Sequence, residues 1–330
     1  MNCPSYYRII HDSELGHDLT LFSGNYGVVT SIVIKAHPPM RYFWVNLNFA
    51  TATTNINRFW EGVKIAYAFP PTWVDRGGHI STYLSAGAND SYTFTAAHSI
   101  AGLSASEVTA IIRPLFADLG AAGINVTAPV LRDADARGTS GTLISRSPSH
   151  VLSNTRYHSR LIPRANFVSG PALYGSTLAA FRASVEEGKY LFHTHSYAPT
   201  RAVAGAPGND SALNPAWRET VCHAMVMEDV PARLTAAEAR AADARVRPYT
   251  DRIRALTPGA GAYMNEGDPA EPGWQQAFYG ANYARLAGIK GRVDPWGVFW
   301  AQTTPGGEGW AVRTEYPASQ NGRLCRVGED

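Results

Sequence analysis

The decapeptide RYFWVNLNFA, residues 41–50, constrains the fold more than any other stretch. Phe43, Val45, Leu47 and Phe49 recur at every second position, so an extended chain puts them all on one face. Such a strand needs neighbours on its edges and a cover over its apolar face. HISTYLSAG and DSYTFTAAHSI supply two more strands, joined near Gly87, Asn89 and Asp90. KYLFHTHSYAP and WRETVCHAMVMEDV are rich in β-branched and aromatic residues and extend the set. YGVVTSIVIKAHP, from Tyr26 to Pro38, reads as a further strand, while LRDADARGTSGTL reads as a polar loop or an irregular edge.

The cover comes from helices. NRFWEGVKIAYAFP is a short amphipathic helix closed by Pro70. A second helix starts at Ser104, whose side chain caps it while Glu107 completes a capping box, and Pro114 is expected to bend it. YGSTLAAFRASVEEG forms a third, ending near Gly188. Thr235 and Glu238 make another capping box before a helix that Pro248 is expected to interrupt. A last helix is expected from about Pro272 to Lys290, carrying Trp274, Phe278, Leu286 and Ile289. Strands and helices do not alternate regularly, so the fold class is α+β, an antiparallel sheet backed by helices.

Composition narrows the function. The 330 residues are 45% hydrophobic, enough for a sizeable core, and the net charge is +2. With no basic block, nucleic acid is not an expected partner. No uninterrupted apolar run is long enough to span a membrane. The N-terminal residues lack the pattern of a secretory signal. Cys3, Cys222 and Cys325 allow at most one bridge. Sequons at Asn89, Asn125 and Asn209 are a weak sign of secretion and glycosylation.

Three stretches carry possible chemistry. In LFHTHSYAPT, His193 and His195 fall on one side of a strand with Thr194 on the other. They line a pocket, pack in the core, or bind a metal. The last reading, a metal-dependent enzyme or hydrolase, lacks an HExxH motif or a paired-cysteine ligand set, so no metal site is assigned. In SGNYGVVTS, Gly24 and Gly27 permit a turn or a close backbone approach to a ligand. From Gly261 to Trp300, Tyr263 and Asn265 are expected on one side of a short strand and Glu266 on the other. A phenol and a carboxamide there suit orientation of a ligand or transfer of a proton. Neither a dinucleotide fingerprint, a P-loop nor a nucleophile elbow occurs.

NYARLAGIKGRVDPWGVFW resembles the C-terminal segment of berberine-bridge-like FAD-linked oxidases of the vanillyl-alcohol-oxidase superfamily. Asn282, Tyr283, Leu286, Ile289, Lys290, Asp294, Pro295 and Phe299 carry the resemblance. Upstream, YMNEGD is similar to the family's Tyr-x-Asn segment, with Glu266 following the asparagine as in fungal members. Gly24, Asn25, Tyr26, Gly27, Val28, Val29 and Thr30 are similar to a flavin-domain segment, and SRLIPRANF and NPAWR also resemble the fungal branch.

The resemblance implies a partial FAD-binding domain from residues 1–40 and 259–330, with a substrate domain at 41–258. It implies FAD as cofactor, a small organic alcohol or related donor as substrate, and molecular oxygen as acceptor. Tyr263, Asn265 and Glu266 become candidate catalytic residues, and His193 and His195 candidate pocket residues. Gly24, Asn25, Tyr26, Gly27, Val28 and Asn282 become candidate cofactor contacts. Intact relatives are expected to be secreted. The pyrophosphate-binding loop and flavin-attachment histidine of typical members are not located in this sequence. A fragment, a truncated gene product or an inactive copy is therefore the competing expectation.

Overall fold

The computed structural model describes residues 25–28, 30–31, 40–52, 54–135, 155–204, 212–231, 234–315 and 322–328. Seven strands form one sheet: β1 (Arg41–Ala50), β2 (His79–Ala86), β3 (Tyr92–Ala101), β4 (Arg132–Asp135), β5 (Thr155–Pro163), β6 (Leu191–Ser196) and β7 (Thr220–Asp229). Their spatial order is β4-β1-β3-β2-β6-β7-β5, and every neighbouring pair is antiparallel. A separate hairpin pairs β8 (Trp310–Arg313) with β9 (Arg323–Arg326).

Alternation decides which face of the sheet is covered. Phe43, Val45, Leu47 and Phe49 are all buried, as the period of two requires. On the same face lie Ile80 and Leu84 of β2, Phe94 of β3, Phe192 of β6 and Val226 of β7. Against them pack helices α1 (Ile56–Ala68), α3 (Ala105–Ala121), α5 (Pro171–Glu186), which follows the short α4 (Ala165–Val168), and α6 (Ala236–Ala255), giving one continuous core. Phe49 stacks on Phe94 with ring centroids 4.7 Å apart, and Phe181 of α5 meets Phe192 at 4.6 Å. The Tyr67 hydroxyl of α1 lies 3.4 Å from Thr194 Oγ1, so Thr194 faces the helices.

Both capping boxes form as expected, at Ser104–Glu107 and Thr235–Glu238. Several local expectations do not hold. Pro70 opens a short second helix, α2 (Pro70–Val74), rather than merely closing α1. Pro248 does not interrupt α6; Pro114, where a bend is expected, lies inside α3, which continues past it. A mid-helix proline costs about 3 kcal/mol. The apolar anchors on both sides offset that cost: Ile112 and Leu115 flank Pro114, and Val246 and Ile253 flank Pro248. Arg132–Asp135 is a true edge strand against β1. Described residues 26–28 and 30–31 are not in a strand, contrary to the reading of Tyr26–Pro38; residues 29 and 32–39 lie outside the described set.

The expected final helix is three pieces: a wide turn at Gln275–Tyr279, a tight one at Gly280–Asn282, and α7 (Tyr283–Val293). Gly280 adopts φ +58°, and a Cβ there would lie 2.7 Å from Asn214 Oδ1. Asn214 is buried and donates through Nδ2 to Ala277 O at 2.8 Å. The carboxamide thus sits beneath the break, and only glycine fits above it.

Candidate functional site

The sheet's second face lies opposite that helical layer. Period two brings His79, Ser81 and Tyr83 of β2, His193 and His195 of β6, and His223 of β7 onto it. Registry does the rest: Tyr83 lies opposite His193, Ser81 opposite His195, and His195 opposite His223. His79 Nε2 and His195 Nδ1 are 3.1 Å apart, and Ser81 Oγ is 3.1 Å from His193 Nε2. Tyr83 stacks on His193 with centroids 4.0 Å apart and planes 9° from parallel. His79, Tyr197 and Trp217 stack in sequence at 6.1 and 5.5 Å.

These imidazoles are held neutral. Burial, then the fields of the other imidazoles, pushes His193 down to about 3. Burial, then His195, does the same to His223, at about 3; burial, then His79, holds His195 near 4. Burial also lowers His79. A proton on one ring raises the cost of a proton on its neighbour. The face therefore offers uncharged donors and acceptors at neutral pH.

The C-terminal segment completes the site. Gly261 O accepts from Leu161 N at 2.8 Å, which lays the segment along β5. Tyr263 N donates to Ser159 Oγ at 3.2 Å, and the Tyr263 ring meets Trp217 and His223 edge-on at 5.4 and 5.6 Å. Met264–Glu266 is a tight helical turn, not the expected strand. That turn overturns the expected opposition of Glu266 to Tyr263 and Asn265. Asn265 Nδ2 donates to the Tyr263 hydroxyl at 2.8 Å, and Glu266 Oε2 comes within 3.5 Å of His223 Nδ1. Burial raises the Glu266 carboxyl above its ordinary range. Its charge also raises Tyr83 and Tyr197, after the larger effects of burial.

Sequence reasoning thus found His193, His195, Tyr263, Asn265 and Glu266, which the fold brings to one face. It missed His79, Tyr83, Tyr197, Trp217 and His223. The alternation in HISTYL was a usable signal for His79 and Tyr83. For His223 the signal was absent, because its importance comes from pairing with β6. Among the described residues, no group of three or more His, Cys, Asp or Glu side chains is arranged to hold a metal ion.

The candidate cofactor contacts lie elsewhere. Asn25 is buried and donates through Nδ2 to Pro305 O at 3.3 Å; Tyr26 donates its hydroxyl to Leu286 O at 3.2 Å. Lys290 is buried and donates to Asn25 O, to Asp294 Oδ2 at 2.6 Å and to Phe299 O at 2.8 Å. Burial acts to raise Asp294, but Lys290 and the backbone N–H groups of Phe299 and Val298 outweigh it and hold the carboxyl low. Residues 25–26 and α7 are therefore latched together. Gly27 has open space where a Cβ would stand, and Val28 is exposed. Asn282 donates to Leu213 O at 2.9 Å, which ties the last helix to the segment before β7. Gly24 lies outside the described residues.

Known proteins resemble this chain in sequence and fold. A family profile described as "Berberine and berberine like" matches residues 262–304, the segment that carries Tyr263, Asn265, Glu266 and the Lys290–Asp294 pair. The FAD-linked oxidoreductase patO of Aspergillus clavatus is 29% identical over 305 residues, covering 92% of this chain and 50% of that protein. FAD-linked oxidoreductase orf1 of Neocamarosporium betae is 30% identical over 321 residues, covering 92% and 51%. Among solved structures, a VAO-type flavoprotein from Myceliophthora thermophila superposes with a TM-score of 0.78 at 24% identity, over 96% of this chain and 56% of that one. The wild-type BBE-like 1 protein of Physcomitrella patens gives 0.63 at 14% identity, over 89% and 60%. The structural likenesses speak to the fold, and the chain spans about half the length of the curated relatives it matches. Residues 262–304 thus form a berberine-like segment, and the chain as a whole is similar to about half the length of FAD-linked oxidoreductases.

Proposed function

We propose that this chain is the substrate-binding and C-terminal part of an FAD-dependent oxidase acting on an alcohol or related small organic donor, with molecular oxygen as acceptor. The observation that carries the reading is the sheet face opposite the helical layer: four imidazoles held neutral, an aromatic row, and one half-buried carboxylate, Glu266. A surface lined by aromatic and neutral imidazole rings fits the ring system of a flavin, and the buried His223 Nε2, which has no hydrogen-bond partner, fits a site built for a polar occupant. When bound, FAD supplies the two-electron acceptor.

The residues divide the remaining work. The Glu266 carboxylate, its proton affinity raised by burial, takes the donor's hydroxyl proton. The Tyr263 hydroxyl, fixed by the Asn265 amide, orients the donor oxygen. His193 and His195 line the pocket and hydrogen-bond the donor without adding charge. Residues 25–28 with the latch at Lys290 belong to the flavin-binding part, within a division at 1–40, 41–258 and 259–330. Secretion and glycosylation belong to the same reading, which the exposed sequon residues Asn89 and Asn125 support.

Purification followed by reconstitution with FAD tests the proposal. The expected result is retained flavin absorbance, peroxide release with a suitable alcohol, and a loss of turnover of tenfold or more in Tyr263→Phe, the order expected for one lost orienting group. A chain that stays colourless with excess FAD is an inactive remnant. Full turnover in Tyr263→Phe removes the role given to that residue.

A further inference from the structure

We infer that His223 is a positioning residue for Glu266: its Nδ1–H is directed at the Glu266 carboxylate and fixes the orientation in which that carboxylate meets a donor. The inference rests on the role proposed above for Glu266, but its geometry stands independently. His223 is 1% exposed and held in mid-strand on β7, so its ring has no freedom to leave. Glu266 lies on a short turn with 37% of its side chain exposed, so it reaches a donor and His223 does not. The two approach at 3.5 Å, Nδ1 to Oε2.

The tautomer follows from the surroundings. His223 Nε2 is buried without a partner. A proton on Nε2 would be a buried donor with no acceptor, which folded proteins rarely tolerate. A proton on Nδ1 points at a carboxylate and leaves only a bare lone pair on Nε2. The groups around this pair are His79 and Tyr83 from β2, His193 and His195 from β6, Tyr197 beyond β6, and Trp217 and Tyr263 against the ring. None carries positive charge at neutral pH. Among the described residues, no lysine or arginine forms an ion pair with Glu266, so the imidazole N–H is the group that steers the carboxylate. This is the logic of an oriented acid–base pair, with the exposed member doing the proton transfer and the buried member setting its geometry.

Nuclear magnetic resonance of the flavin-free chain tests the inference. Long-range ¹H–¹⁵N correlation on histidine-labelled wild-type protein reads the tautomer directly. The expected result is a protonated Nδ1 and a bare Nε2 at His223; the opposite tautomer overturns the inference. A carboxyl titration on glutamate-labelled protein supplies the second arm. His223→Phe should move the Glu266 midpoint upward by up to about one pH unit, as the carboxylate loses the N–H that faces it at 3.5 Å. His223→Asn, which keeps an N–H near the Nδ1 position, should restore it. A midpoint unchanged in His223→Phe refutes the steering role. If a variant fails to fold, the wild-type tautomer still decides. Neither readout uses flavin, so failure of the oxidase reading would appear separately, as absent cofactor retention.

Discussion

Acid should destabilise this protein well above the pH at which ordinary carboxylates titrate. His98, His193 and His223 are 2%, 7% and 1% exposed. Burial holds them near 4, 3 and 3, against 6.5 for a free imidazole. The folded state keeps these rings neutral while the unfolded state protonates below 6.5, so stability is fully present above 6.5 and is lost as pH falls toward 3–4. By pH 5 each ring has cost about 2 kcal/mol, and the three together about 6 kcal/mol. That is a large share of the roughly 5–15 kcal/mol that holds a domain folded. His79 and His195 act in the same direction. Glu266, raised by burial, opposes them slightly as its own range is approached.

Urea unfolding at intervals between pH 8 and 5 measures the effect. The expected slope near pH 5.5 is about 4 kcal/mol per pH unit, from three protons bound on unfolding. His98→Phe isolates one contribution. His98 lies edge-on between Phe69 and Trp73 at 5.8 and 5.6 Å, so phenylalanine retains the packing. The variant should lose about a third of the slope. A flat stability profile between pH 7 and 5, or an unchanged slope in His98→Phe, would refute the argument that these rings are folded neutral.

Two further outcomes follow from the packing. Lys290→Met strands the buried Asp294 carboxylate and frees Asn25 O, and should cost about 3–5 kcal/mol in thermal or urea unfolding; Lys290→Met paired with Asp294→Leu should recover part of it. Ser104→Ala removes the capping-box acceptor for Glu107 N, and should cost about 1 kcal/mol by the same measurement with no effect on flavin retention.

The elements that sequence reading placed well are those whose signal is local. The alternation of residues 41–50, the two capping boxes and the HTH period depend only on neighbours in the chain, and the structure reproduces each. The errors share a different cause. Pro248 looked like an interruption because its local cost is real, yet buried Val246 and Ile253 carry the helix past it. The segment from Gln275 to Asn282 looked helical because its apolar spacing is helical. Asn214, some sixty residues away, breaks it by occupying the space beneath Gly280.

By itself the sequence determined that the chain would build an antiparallel sheet with one apolar face, that His193 and His195 would share a side, and that its C-terminal segment is berberine-like. These follow from residue periodicity and short motifs, which need no knowledge of distant contacts. Only tertiary structure decided that the shared side is the one opposite the helical layer. The order β2-β6-β7 is not the order of the chain, and it is this pairing that sets His79 beside His195 and His195 beside His223. Only tertiary structure, too, turned Glu266 from the far side of a supposed strand onto His223. A tight turn rotates successive side chains by about a third of a circle rather than half, and that difference carries the carboxylate into the site.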